Sequence, residues 1–184
     1  MGQRRMQGKS LRKRWKVESV QMGDSFTALD FRSACGQFAT GVCVVTGMLD
    51  NKSPVGVTIN SFSSVSLEPP LVLFCLDKNA LSFDAFSIAS RFAVNILAED
   101  QQALSNNFAR QSDDKFADID YQVTEEGVPV LENCLTVMEC RMYAVHDGGD
   151  HQIIVGEVSR IRKQREDARP LLYFRGGYNA LASD

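Results

Sequence analysis

The 184-residue sequence lacks any apolar run long enough to form a membrane-spanning helix. Its first residues also lack the apolar stretch of a secretory signal peptide. These absences favour a cytoplasmic protein without a membrane partner. The length allows a sizeable core, and the 44% apolar composition is typical of a single globular domain.

Sequence motifs typical of metal sites or of disulfide frameworks are absent as well. The five cysteines, at positions 35, 43, 75, 134 and 140, include no C-x-x-C pair. The two histidines, His146 and His151, have no third ligand at a recognisable spacing. We therefore predict no metal site. An odd number of cysteines in apolar surroundings indicates reduced, buried thiols.

Acidic residues are missing from the first 16 positions, which carry seven basic residues. Removing those seven from the 20 basic residues of the chain leaves 13 against 23 acidic residues. Such an acidic body offers no broad surface for nucleic acid. A nucleic-acid-binding arm is one interpretation of the basic segment. We prefer an extension, residues 1–22, that precedes a single domain, residues 23–184.

The dinucleotide-binding fingerprint G-x-G-x-x-G is missing. Gly36 and Gly41 have the wrong spacing, and Gly36 belongs to a predicted helix, residues 28–39, that Gly41 ends. We expect the apolar stripe of this helix to lie in the core. Period-2 runs near ten-residue spacing predict a mainly β fold with short helices, built as an antiparallel barrel. The predicted hairpin of residues 135–146 and 151–163 is apolar on both faces, so a second subunit would cover one of them.

Residues 54–82 form the stretch in which a binding site is most readily predicted. Residues 55–59 alternate as a two-faced strand, residues 71–76 form an apolar strand, and a segment rich in hydroxyls separates them. A turn then leads to a predicted helix, residues 80–89, with Asn79 as N-cap and Ser82 in its first turn. A helix start of this kind favours a phosphate group. Ordinary turns and caps are the other interpretation of such a hydroxyl cluster.

The segment GVTINSFSSVSLEPPLVLFCL, which begins at Gly56, resembles the signature segment of the flavin reductase family. The other similar segments, in chain order, are FR at 31, FATGVCVVT at 38, FAVNIL at 92, NFA at 107, GVPVL at 127, GDHQIIVGEV at 149 and LLYFRGGY at 171. Together they cover roughly residues 29–181. The resemblance implies an NAD(P)H:flavin oxidoreductase with an FMN-binding split β-barrel of Greek-key type.

The resemblance also implies roles for individual residues. Cofactor contacts are expected from Thr58, Ile59, Asn60, Ser61, Cys75, Leu76, Asp77, Asn79, Ser82 and Phe108. His151, in the segment G-D-H, is the expected catalytic residue on the nicotinamide side, and Tyr178 is expected to close that pocket in its own chain or in a partner subunit. Without the resemblance, a histidine beside a hairpin turn is usually an ordinary surface residue.

The implied activity is hydride transfer from NADH or NADPH to FMN or FAD, in which the flavin ring performs the chemistry. The implied assembly is a homodimer that supplies reduced flavin to a monooxygenase. Two alternatives stay open. The reduced flavin could pass electrons to a corrinoid or to ferric iron, or the protein could be a non-catalytic flavin- or haem-binding split barrel.

Overall fold

The structure is a computed structural model that describes residues 26–50, 52–112 and 114–182, so the predicted basic extension lies outside the described residues. The described chain is mainly β with short helices, as predicted. Its elements are α1 (Ala28–Cys35), β1 (Thr40–Gly41), β2 (Cys43–Met48), β3 (Pro54–Ile59), β4 (Ser63–Leu67), β5 (Pro70–Asp77), α2 (Phe83–Ile88), β6 (Arg91–Ile96), a 3-10 turn (Glu99–Gln101), α3 (Gln102–Ala109), β7 (Tyr121–Val123), β8 (Pro129–Leu131), β9 (Thr136–Gly148), β10 (His151–Lys163), β11 (Leu172–Phe174) and β12 (Gly177–Asn179). None of the described helices has the length and apolar character needed to span a membrane.

Seven strands form one antiparallel sheet in the order β3-β2-β6-β9-β10-β5-β4, and smaller sheets are formed by β1-β11-β12 and β7-β8. Strands β5 and β6 follow each other in the chain but are separated in the sheet by β10 and β9. Ser61, just after β3 at one end of the sheet, contacts β5, the strand next to the other end. Its hydroxyl donates to the carbonyl of Cys75 at 3.1 Å and accepts from the Cys75 N–H at 2.9 Å. One side chain therefore joins the end strand β3 to β5 across the curved sheet.

The central strands are buried on both faces. Val44 of β2 packs with α3 and β8 in one apolar cluster, whereas its neighbour Val45 packs with Phe74 and Phe92 in a second cluster. The same alternation divides β6, as period-2 side-chain geometry requires. The predicted strands and the long β9–β10 hairpin are confirmed. Its turn contains Gly149, whose φ of 82° suits a residue without a Cβ atom.

The first helix differs from the prediction. Thr27 caps α1, and it exchanges hydrogen bonds with Asp30 in a capping box. No residue of α1 is buried, and Leu29 and Phe31 are 75% and 61% exposed. The expectation that this apolar stripe lies in the core of the chain is therefore wrong. A capping box stabilises a short helix through local hydrogen bonds. The α1 helix can therefore form without packing in either apolar cluster.

The second helix begins later than predicted, at Phe83 rather than at residue 80. Asp77 explains the difference, because its Oδ1 atom accepts the backbone N–H of Asn79 at 2.8 Å and the side-chain amide of Asn79 at 3.1 Å. The carboxylate thus holds Asn79 in a turn. Ser82, not Asn79, is the N-cap residue, and its side chain makes no capping hydrogen bond. Sequence analysis also missed β4 and the β7–β8 hairpin.

Candidate functional site

A cleft at the junction of β3 and β5 gathers most of the predicted site residues. It has a volume of about 210 Å³ and is lined by Val57, Thr58, Ile59, Asn60, Ser61, Cys75, Leu76, Asp77, Ala80 and His151. Complete small-molecule pockets are commonly about 300–1,000 Å³, so this cleft suits part of a nucleotide-sized ligand. A smaller cleft of about 130 Å³ lies beside the Arg91–Glu126 ion pair and contains none of the predicted residues.

His151 reaches the cleft because β10 pairs with β5 and places it opposite Asp77. Its Nδ1 atom lies 2.7 Å from Oδ1 of Asp150. The hydrogen bond with His151 holds the pKa of Asp150 below its usual value, so Asp150 is a carboxylate at neutral pH. Because a carboxylate only accepts hydrogen bonds, Nδ1 of His151 carries the proton. Nε2 is therefore the ring nitrogen left for a ligand.

The polar side chains of the cleft differ in their freedom to bind a ligand. The Asn60 side chain is exposed, and no described residue forms a hydrogen bond with it. The hydroxyl of Ser61 already donates its proton to Cys75. The hydroxyl of Thr58 donates to the carbonyl of Ser105 at 2.7 Å, away from the cleft. Asn60 is thus the available amide, while Ser61 and Thr58 hold the wall in place.

Phe108 and Tyr178 lie behind β3, in a group with Ser105 and Lys115 that we call the α3 layer. Phe108, an expected cofactor contact, is fully buried in the core cluster of α3 and is not among the residues that line the cleft. A Cβ atom on Gly56 of β3 would lie 2.6 Å from its ring, which shows how closely strand and helix approach. The hydroxyl of Tyr178 lies 2.8 Å from the Ser105 hydroxyl and does not line the cleft.

Two members of the α3 layer were missed by sequence analysis. Lys115 donates from Nζ to the carbonyls of Gly56 and Phe108, at 3.2 and 3.0 Å. Burial lowers the pKa of this lysine. Ser105 accepts the Thr58 hydroxyl through its carbonyl and meets Tyr178 through its side chain. Only the three-dimensional structure brings these residues to the back of the cleft wall.

Asn79 and Ser82, the predicted phosphate ligands, also lie outside the lining of the cleft. Asn79 is exposed in the turn held by Asp77. Ser82 is 7% exposed, and its hydroxyl has no hydrogen-bond partner among the described residues. A helix of six residues that begins after Ser82 is a weaker anion site than the predicted one.

The cysteines divide by burial instead of forming one buried group. Cys43, Cys134 and Cys140 are buried, and burial raises the pKa of each thiol to about 12. Burial also raises the pKa of Cys75, which is partly exposed in the cleft. Cys35 is exposed at the end of α1, so the prediction of five buried thiols is wrong at this position. Its helix lies outside the apolar clusters.

The two histidines are not directly opposite each other in the hairpin. His146 pairs with Ile153 across the hairpin, whereas His151 pairs with Gly148. Among residues 26–50, 52–112 and 114–182, no group of three or more His, Cys, Asp or Glu side chains could hold a metal ion.

Known proteins show the same sequence pattern. Residues 35–182 match the family described as flavin reductase like domain. The chain is 44% identical over 154 residues to HsaB, the reductase subunit of a flavin-dependent monooxygenase from Rhodococcus jostii, covering 84% of this chain and 78% of that protein. It is 47% identical over 152 residues to SmoA, an FMN reductase (NADH) from Agrobacterium fabrum, covering 83% of this chain and 85% of that one.

Known structures show the same fold. An NADH:FAD oxidoreductase from Streptomyces globisporus, solved in complex with NAD and FAD fragments, matches with a TM-score of 0.80 at 36% identity. The match covers 85% of this chain and 93% of that one. The predicted family resemblance and the predicted split-barrel fold are confirmed.

Proposed function

The chain belongs to the flavin reductase-like family, and from this premise we propose that it oxidises NADH and reduces FMN or FAD for a partner monooxygenase. The observation that carries the proposal is the cleft, where β3, β5 and β10 bring Asn60, Asp77 and His151 to one place. We name NADH because SmoA and the Streptomyces enzyme carry NADH in their names.

The residues of the cleft fit a flavin ring. Val57, Ile59 and Ala80 supply apolar contacts for its carbon-rich end. The Asn60 amide can both donate and accept, as the ring's edge of alternating N–H and C=O groups requires. When bound, the flavin accepts hydride at its ring, so the protein needs no acid–base triad. Cys75, Leu76 and Asp77 supply backbone along the opposite wall.

His151 would act on the nicotinamide side of this site. Asp150 keeps the proton on Nδ1, so the neutral form of His151 presents the lone pair of Nε2. Such a nitrogen accepts a hydrogen bond from the carboxamide NH₂ of a nicotinamide. Holding the donor at the correct distance and angle is the main contribution that a protein makes to this reaction.

The working unit in this proposal is a homodimer. Phe26, Leu29 and Phe31 are exposed together on and beside α1, and the two phenylalanine rings stack at 6.3 Å. Grouped exposed apolar side chains are typical of protein interfaces. The cleft of one chain is also smaller than a complete ligand pocket. Light scattering should therefore give about twice the chain mass of 20.4 kDa, and a monomer would contradict this part of the proposal.

The activity is tested by mixing purified protein with NADH and either FMN or FAD, and following the nicotinamide absorbance. Oxidation that depends on added flavin is expected, with NADPH used more slowly. Failure with both flavins and both nucleotides would overturn the proposal and favour a binding protein. An anaerobic stopped-flow experiment then identifies the acceptor. Release of free reduced flavin supports supply to a monooxygenase, whereas direct transfer to a corrinoid or to ferric iron contradicts it.

A further inference from the structure

Lys78 connects the turn after β5 to the turn between β9 and β10. Its Nζ atom donates to Oδ1 of Asp147 at 2.6 Å and to the carbonyl of Gly149 at 2.5 Å. Its backbone N–H donates to the carbonyl of Asp150 at 3.0 Å. One residue of the β5 turn therefore holds the hairpin turn at three points immediately before His151.

The side chains of the turn that Lys78 holds add little to its rigidity beyond the backbone pairing of β9 and β10. It contains consecutive glycines, and glycine is the residue with the greatest backbone freedom. Every residue from 145 to 150 is exposed, so packing does not restrict these positions. His151 is the first residue of β10, directly after this turn. The backbone of His151 pairs with Gly148 and Asp77, whereas its ring meets Asp150 of the turn, so the direction of the ring depends on where the turn places Asp150.

We propose that Lys78 is a positioning residue, which fixes the β9–β10 turn so that Asp150 engages Nδ1 of His151 and Nε2 serves the cleft. This inference rests on the proposed function, because it assigns Lys78 a purpose in presenting the nicotinamide-side histidine. Lys78 does not line the cleft, so it acts through the turn.

The alternative is an ordinary surface ion pair. The Lys78 and Asp147 side chains are 36% and 81% exposed, and exposed pairs contribute little to the free energy of folding. Removing Lys78 should therefore leave the stability of the protein nearly unchanged. If the ion pair is only structural, removing Lys78 should leave the His151 ring unchanged. If Lys78 is a positioning residue, removing it should change which ring nitrogen of His151 carries the proton.

Nuclear magnetic resonance of ¹⁵N-histidine protein tests this directly, because the chain has two histidines. His146 is exposed, pairs with Ile153 and serves as an internal reference. Neutral His151 should carry its proton on Nδ1 in the unaltered protein. In Lys78→Met its signal should move toward the Nε2–H form, while His146 stays unchanged and Lys78→Arg restores the original signal. An unchanged His151 signal in Lys78→Met would overturn the inference, whether or not the protein reduces flavin.

Lys163→Met is the matched control, because Lys163 forms an exposed ion pair with Glu166 at 2.7 Å at the far end of β10. Lys78→Met should lower kcat/KM for NADH about tenfold through misplacement of His151, with a flavin Kd within about twofold of the starting value. Lys163→Met should change neither quantity. In a His151→Ala background, Lys78→Met should have no further effect on kcat/KM. A further tenfold loss in that background would show that Lys78 does not act through His151.

Discussion

The two sides of strand β3 have different surroundings, although both belong to the segment that resembles the family signature. One side faces the cleft and the other packs against the α3 layer. On one side Asn60 and the end of the strand line the cleft, where the exposed Asn60 amide lies beside the apolar side chains of Val57 and Ile59. On the other side Gly56 and the Thr58 hydroxyl contact the α3 layer, where Phe108 is fully buried. A family signature thus includes residues that line the cleft and residues that pack in the core. The comparison teaches that changes on the two sides should separate catalysis from stability.

The largest expected effect is a loss of stability from a change in the α3 layer, on the side of β3 away from the cleft. Phe108→Ala should lower the free energy of unfolding by about 3–5 kcal/mol, because it removes a buried ring and leaves a cavity beneath Gly56. Urea denaturation measures the loss, and Phe108→Leu should lose less. If Phe108→Leu instead weakened flavin binding while keeping its stability, Phe108 would belong to the cleft and the comparison would fail.

The next largest expected effect is a loss of kcat/KM for NADH from a change in the cleft. His151→Ala should lower kcat/KM for NADH by about 10- to 100-fold, because the nicotinamide would lose an orienting contact. Its unfolding free energy should stay within about 0.5 kcal/mol, as is usual for positions outside the core. His146→Ala is the matched control in the same hairpin, and it should behave like the unaltered protein. Equal loss of flavin affinity and hydride transfer in His151→Ala would refute the division of roles.

Ser61 lies at the boundary between the two sides. Ser61→Ala removes two hydrogen bonds to Cys75 and should cost about 1–2 kcal/mol of unfolding free energy. Hydrogen exchange at the Cys75 amide should accelerate at the same time. Ser63→Ala is the control, because the Ser63 hydroxyl is exposed and bonds only a neighbouring carbonyl among the described residues. Unchanged exchange at Cys75 would show that Ser61 does not hold the two strands together.

The smallest effect concerns thiol labelling. Cys35 should react first, and Cys43, Cys134 and Cys140 should react only after unfolding, because burial raises the pKa of each to about 12. In a Cys35→Ser protein, Cys75 becomes the reactive thiol. Its raised pKa means less thiolate at pH 8 than in a free cysteine, so its labelling should be slow and should rise with pH.

Bound FMN should slow the labelling of Cys75 several-fold, since Cys75 lines the cleft. Mass spectrometry of labelled peptides with and without FMN measures this protection. Labelling of Cys75 at the same rate in saturating FMN would place the flavin away from the cleft.

Local features that depend on neighbours in the chain were predicted well. The alternation of residues 55–59 and the apolar run 71–76 correspond to β3 and β5, and the glycine-containing turn joins β9 and β10. The start of α2 was not predicted, because the Asp77 carboxylate competes for the Asn79 N–H. The exposure of α1 was not predicted either, because periodicity shows which side chains share a face and not what covers that face.

From the sequence alone came most strands of the main sheet, the family and the residue types of the cleft, since period-2 patterns and motifs are properties of adjacent residues. The tertiary structure decided that the Thr58 and Ser61 hydroxyls are already hydrogen-bonded and that the Phe108 ring is buried. It also brought Lys78 to the turn beside His151. The physical reason is that these depend on partners distant in the chain. Thr58 meets Ser105 across 47 residues, and Lys78 meets Asp147 across 69. Only the folded sheet brings such pairs within hydrogen-bonding distance.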